Sequence, residues 1–402
     1  MRWIGVAAAC VLVAGLGVAS YAAWDLSSTF AANAVDLEGQ ESTPPDIGSL
    51  VESEGVDILL TGIDICEWDS HEKFGARCPQ NPEAYGEDGR EIGAGLNDVN
   101  MLVHVSPEPR KITAIAFPRD LLIPTPECTD PKTGAVTAAS SRKMINESYI
   151  AGGLPCVVKT IDSLTTPHDR DLAVDYAATV TWNGVIEITN AIGGVDVCVD
   201  GTINDREAGM LYLTPGTHTL AGEQALAFLR SRHGVGDGGD QSRISNQQVY
   251  LSSLARKLKS DEVLTNPGRL LSLARTTLSN VDPSSSLTNP MTLVQIALAV
   301  KDVPTSEIVF LQYPAVQDPA DPNRLVPIEE DAAALFAALK ENAPVSPTGK
   351  YLEEEQEAAQ PSTPPADAGG QTAQPTETPT APAPDNLLGR TADDTSCSQA
   401  NN

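Results

Sequence analysis

The stretch NDVNMLVHVSPEPRKITAIAFPRD (residues 97–120) holds two runs of strand length, VNMLVHV and KITAIAF, rich in Val and Ile and separated by a proline-containing turn. Charged residues stand at its two ends: Asp98 before the first run, Arg119 and Asp120 after the second. Upstream VDILLTGI and downstream GVDVCVD read as further strands, and TGID places Asp64 at the end of the first. Between strands, SSRKMINESYIAGGLPCVVKTIDSLTT and TWNGVIEITNAIGG carry helical spacing, the latter ended by a glycine pair suited to a C-cap. Ile244, Leu251, Leu254 and Leu258 form an apolar stripe at helical spacing, and PMTLVQIALAVK and EEDAAALFAALKEN read as two more helices. This alternation predicts an α/β fold, a central sheet covered by helices in an α/β/α sandwich.

Composition shifts divide the 402-residue chain. Residues 1–24 carry one arginine and then an uncharged, mostly apolar run, about long enough at ~1.5 Å per residue to cross a hydrocarbon core of about 30 Å. We read it as a retained transmembrane anchor with Arg2 on the cytoplasmic side; the small residues VAS and YAA leave a cleaved signal peptide as the rival. Residues 25–53 form a polar juxtamembrane linker, and 54–345 one folded domain. Residues 346–402, rich in Pro, Thr, Ala and Glu, are expected to be disordered. The domain is therefore expected on the outer side of the cell membrane, on a single-pass protein. Disulfides suit that compartment: Cys66 with Cys78 and Cys128 with Cys156 are the expected pairs, which leaves Cys198 as a buried free thiol. No cysteine spacing suits a zinc site.

A net charge of −28 argues against nucleic acid as a partner. Any anion must be held locally, and LRSRHGVGDGGDQSRISNQQ (229–248) supplies the means. Arg230 and Arg232 point the same way if the segment is extended. Arg243 and Gln247 share a face of a helix starting near Ser242, where free amides favour an anion. The glycine-rich turn is not a P-loop, because no G-x-x-x-x-G-K-[ST] match exists in it. Taken alone, the arginines read equally as surface ion-pair partners. Asp64 and Asp98, at strand ends where α/β sheets gather ligands, could hold a hard cation such as Mg²⁺ between them and phosphate oxygens.

The order of DILLTGID, the 97–120 stretch, KMINESYIAGGLPCVVKTIDSLT, VIEITNAIGGVDVCVD, LTPGTHTLAGEQALAFLRSRHG and DQSRISNQQVYLSSL resembles the LytR-CpsA-Psr family of cell-envelope proteins, in its actinobacterial branch. The resemblance covers residues 54–345 and implies a mixed central sheet. It also implies a phosphotransferase that moves a glycan phosphate from a polyprenyl-pyrophosphate carrier to the C6 hydroxyl of peptidoglycan muramic acid, with the lipid in a hydrophobic tunnel. Carried over by position, Asp64 and Asp98 match magnesium-binding carboxylates. Arg119, Arg230, Arg232, Arg243 and Gln247 match a pyrophosphate-binding set, with Asp240 an acidic partner. Asp120 or Asp240 would take the acceptor's proton, unless each merely orients an arginine. Asn146 matches a glycosylation sequon by spelling, whereas the family's K-x-N pattern accounts for it better. Two departures stand out: Gly95-Leu96-Asn97-Asp98 replaces Gly-Arg-Ser-Asp, so one phosphate-binding arginine of the family is absent, and the segment from Asp64 to Asp98 is longer than the family's, read as a disulfide-closed surface insertion that would contact the acceptor. A non-catalytic protein that binds lipid-linked glycan, and a hydrolase of the lipid pyrophosphate, are the competing functions.

Overall fold

The computed structural model describes residues 34–37, 55–169, 172–259, 273, 276–277, 279–288, 290–347 and 387–401. The expected anchor at 1–24, most of the linker and the tail from 348 to 386 lie outside these residues. Among the described residues, no helix is long and apolar enough to cross a membrane.

Seven strands build the central sheet: β1 (Val56–Asp64), β2 (Leu96–Val105), β3 (Ile112–Phe117), β4 (Tyr176–Val180), β5 (Val281–Pro283), β6 (Ile308–Gln312) and β7 (Gly389–Thr391), in the order β5-β4-β1-β2-β3-β6-β7. The pairs β1–β4 and β3–β6 are parallel and the other four antiparallel, so the sheet is mixed. Alternation along the strands sorts side chains into two layers. Leu59, Leu102 and Ile115 face α1 (Ser148–Thr165) and the C-terminal helix Glu329–Lys340 in one core. Residues of the opposite parity, Ile58, Met101, Ala114 and Ala116, pack towards α4 (Asp240–Lys259) and α5 (Pro290–Val300). Helices α2 (Trp182–Ile192) and α3 (Gly222–Arg230) complete that second layer over β1. The three layers are those expected of an α/β/α sandwich.

Several local expectations change. GVDVCVD is a strand (Val195–Val199), but it pairs with Gly216–Leu220 in a separate two-stranded ribbon. The helical reading of 140–166 holds only from Ser148; Ser140–Met144 is a strand paired with Leu122–Thr125. Gly193 caps α2 in the left-handed conformation, φ 78°, as the glycine pair suggested.

The cysteines correct the sequence reading more deeply. Cys66–Cys78 and Cys128–Cys156 are bonded as expected, but Cys198 is not a free thiol; it is bonded to Cys397. The expected disorder of 346–402 therefore fails for 387–401. Strand β7 pairs with β6, Leu387 and Ala392 are buried in the two core layers, and Arg256 donates to the carbonyls of Ala392 and Asp394. At the other end, Val35 bridges to Ser284 and Leu37 enters the core, so part of the linker is docked as well.

Candidate active site

A cavity of about 480 Å³ stands on the second face of β1 and β2, closed by α2, α3 and α4. Leu60, Gly62 and Asp64 alternate along its floor, and Leu60 is 39% exposed although it lies in a central strand. Its far part is apolar, walled by Leu60, Met101, Val185, Ile188, Leu226 and Leu254. Polar groups gather where β1 ends and β2 begins: Asp64, Asp98, Arg119, Arg230, Arg232, Arg243 and Gln247 all line it. The four strand steps from Leu60 to Asp64 make that apolar-to-polar axis about 13 Å long.

Asp98 reaches this cavity through a β-bulge. Gly62 pairs with Val99 but Ile63 with Asn97, which leaves Asp98 as the extra residue. Unbroken register would have turned Asp98 to the opposite face with Asn100 and Leu102. Instead Asp98 accepts from Arg119 Nη1 at 2.8 Å and from the Asn146 amide at 3.3 Å, with Arg243 Nη1 at 3.7 Å. Its neighbour Asn97 turns inward and is fully buried, bonded to Asn100, Ser148 and the Ile145 carbonyl.

The arginine cluster is assembled from two helices and a turn. Arg230 is the last residue of α3, Ser231 is extended, and Arg232 follows; the pair does not lie on one extended segment. Asp205 organises the turn, accepting from the Ser231 hydroxyl and from the amides of Arg232 and Gly234. Burial acts to raise the Asp205 carboxyl, but these donors together hold it below its ordinary value. Arg243 lies one turn into α4, which begins at Asp240. The Gln247 amide donates to the Leu229 carbonyl at 3.0 Å and Asn246 to that of Phe228, so both side chains cap the end of α3 that presents Arg230.

Arg230 lies over the indole of Trp182 at 4.0 Å, and among the described residues no carboxylate comes within ion-pair distance of it. Burial, with the nearby charge of Arg77, lowers its guanidinium to about 10. Burial likewise raises the Asp64 carboxyl; Arg230 and Arg77 oppose that rise and Asp98 adds to it. The buried Arg232 Nε and Tyr250 hydroxyl, both on cavity residues, have no hydrogen-bond partner among the described residues.

Two expected residues stand apart. Asp120 does not line the cavity; it lies 3.4 Å from Arg119 Nε and 3.2 Å from Arg324, and so orients Arg119. Asp240 opens α4, but its side chain lies outside the described residues. Three residues escaped the sequence reading: Arg77, Trp182 and Asp205, all in the cavity wall. Asp205 and Trp182 carry no local signal, and Arg77 lies in an insertion that the sequence assigned to the surface.

A cation that takes only two protein carboxylates and completes its shell with water and phosphate fits Asp64 and Asp98, which border one cavity, the charge of Asp98 adding to the rise of the Asp64 carboxyl. Among the described residues no cluster of three or more His, Cys, Asp or Glu could hold a metal alone.

Comparison with known proteins agrees with this architecture. The sequence is 30% identical over 191 residues to the cell wall biosynthesis protein LcpA of Corynebacterium glutamicum, covering 44% of this chain and 36% of that one. It is 23% identical over 321 residues to TagT of Bacillus subtilis, a polyisoprenyl-teichoic acid–peptidoglycan teichoic acid transferase, covering 78% and 87%. The alignments to LcpA, to biofilm regulatory protein A of Streptococcus mutans and to TagV of Bacillus subtilis span only 36%, 46% and 50% of those relatives. Among solved structures, the LytR-Csp2A-Psr enzyme from Actinomyces oris superposes with a TM-score of 0.53 at 20% identity, covering 76% of this chain and 95% of that one. Bacillus subtilis TagV superposes at 0.52, also with 20% identity, covering 73% and 100%. The model of the LytR-CpsA-Psr family matches residues 26–341, and the chain belongs to that family.

Proposed function

We propose that this chain is a phosphotransferase of cell-wall biogenesis that moves a glycan phosphate from a polyprenyl-pyrophosphate carrier to the C6 hydroxyl of peptidoglycan muramic acid. The observation that carries the reading is the division of one cavity. Its apolar length ends at Arg230, a half-buried guanidinium without a carboxylate partner among the described residues, flanked by Arg119, Arg232 and Arg243. A ligand with a long hydrocarbon and an anionic head satisfies both halves. The name of TagT, a transferase of polyisoprenyl-linked teichoic acid, supports the same substrate class. We place the domain outside the cytoplasmic membrane, anchored through residues 1–24.

In this mechanism the acceptor oxygen attacks the glycan-bearing phosphorus, the bond from that phosphorus to the bridging oxygen breaks, and polyprenyl phosphate leaves. Arg230, Arg232 and Arg243 neutralise charge on the two phosphates, and the Trp182 ring, 4.0 Å from the Arg230 guanidinium, supports it against the wall. Asp98 and Asp120 hold Arg119 from two sides. The acceptor's proton passes to a carboxylate, for which Asp240 is our candidate, since Asp120 is engaged by Arg119 and Arg324. Asp64 and Asp98 would hold Mg²⁺, whose chemistry is to offset charge on the phosphate oxygens.

The test is incubation of the full chain with a synthetic polyprenyl-pyrophosphate glycan and a peptidoglycan fragment, with products read by mass spectrometry. A glycan-phosphate-peptidoglycan adduct that disappears with Arg230→Ala supports transfer. Free glycan phosphate without adduct points to hydrolysis, and tight binding without turnover to a binding protein; either outcome overturns the reading.

A further inference from the structure

The insertion between β1 and β2 is closed by Cys66–Cys78 and folds against α2. Phe74 packs on Trp182 with ring centres 5.0 Å apart, and Lys73 reaches Asn183 at 3.0 Å and Glu187 at 3.6 Å. These contacts dock the loop without help from Arg77, the residue next to the disulfide. Arg77 instead turns into the cavity wall, 4.8 Å above the same indole that carries Arg230 and 3.4 Å from Asp64 Oδ2.

Two guanidiniums on one ring repel each other, and a bridging anion relieves that repulsion. The ion pair with Asp64 is a weak reason for the arrangement, because the Arg77 side chain is 45% exposed and such pairs contribute little. Its openness leaves Arg77 free to turn from Asp64 to a ligand in the cavity.

We propose that Arg77 is a substrate-contacting cation, delivered by the disulfide-closed insertion, that grips the anionic head of the lipid pyrophosphate together with Arg230. This rests on the substrate class proposed above. The insertion thereby becomes part of the donor site, where the sequence suggested only an outer surface facing the acceptor. Register supplies an independent check. Leu96 pairs with Asp64 across β1 and β2, and cross-strand partners share a face, so an arginine at 96 would enter the same corner from the other side.

The experiment measures binding of geranyl pyrophosphate and geranyl phosphate to the full chain in mild detergent by calorimetry, for the native protein, Arg77→Gln, Arg77→Lys and the double variant R77Q/L96R. We expect Arg77→Gln to weaken geranyl pyrophosphate about tenfold and geranyl phosphate less. Arg77→Lys should retain part of the affinity and the double variant should recover it. Recovery by L96R would separate a lost charge from a displaced loop. Equal binding of geranyl pyrophosphate by the native protein and Arg77→Gln overturns the role of Arg77 alone. A native protein that binds neither compound overturns the substrate class, and this inference with it.

Discussion

Asp98 stands beside Asp64 because it is the extra residue of a β-bulge opposite Gly62 and Ile63. The bulge reverses the parity of β2, so that Val99 and Asp98 both look into the cavity while Asn97 and Asn100 look away from it. One residue thus joins a carboxylate from each strand to the arginines of α3 and α4.

Replacing Asp98 by Asn keeps the shape and removes the charge that holds Arg119 at 2.8 Å and lies 3.7 Å from Arg243. Transfer is expected to fall about a hundredfold or more, the scale of losing one aligned electrostatic group. The melting temperature should change by only a few degrees. Transfer rate and thermal melting, measured on the same preparation, check both halves; full activity in Asp98→Asn would remove this carboxylate from the mechanism.

Leu60 lies at the apolar end, 39% exposed in an otherwise buried stretch of β1. Leu60→Trp should fill part of the cavity without lowering stability, since the space already exists. Blocking contact with about four methylenes of a lipid costs ~3 kcal/mol, roughly a hundredfold in affinity for a long polyprenyl chain. A short geranyl chain held at the Asp64 end should bind unchanged. Equal loss for both lengths would mean that the chain does not run along β1.

The Cys198–Cys397 bond closes a separation of 199 residues and ties the C-terminal segment to the ribbon formed by Val195–Val199 and Gly216–Leu220. Cys198→Ser with Cys397→Ser should destabilise the protein by about 2–5 kcal/mol. A chain ended at residue 386 should lose more, because strand β7 goes too. Urea unfolding of both variants gives the comparison, and identical midpoints for the native and double-serine proteins would show that noncovalent docking suffices.

Burial raises the Asp162 carboxyl from 3.8 to about 6, the Val174 amide lowers it in part, and the charge of Asp57 adds to the rise. The native state therefore holds this proton more tightly than the unfolded chain. Its contribution to stability is greatest below about pH 4, declines as pH rises towards 6, and stays low above that. Asp162→Asn keeps an acceptor for the Val174 amide and should raise stability by about 1–2 kcal/mol at pH 7.5, with no gain near pH 4. Unfolding curves at the two pH values decide this.

Much of the framework was legible in the chain itself. The runs that became β1, β2 and β3 are near-continuous Val- and Ile-rich stretches of strand length, because helices cover both faces of the sheet, and the segments that became α2, α4 and α5 have helical spacing. Asp64, Asp98 and Arg119 were visible as charges at strand ends, and Arg230, Arg232 and Arg243 as cations concentrated in an acidic chain. What tertiary structure alone decided depends on distance in sequence. The tail composition concealed a strand that finds its partner in β6, and Cys198 meets a cysteine 199 residues away. Arg77 belongs to the cavity only because its loop folds back on Trp182, and Asp98 faces Asp64 only because pairing slips by one residue. Local periodicity reports which face a residue turns to its own element's surroundings. Which distant groups share that space follows from loop closure and strand register, and neither leaves a trace in the neighbouring residues.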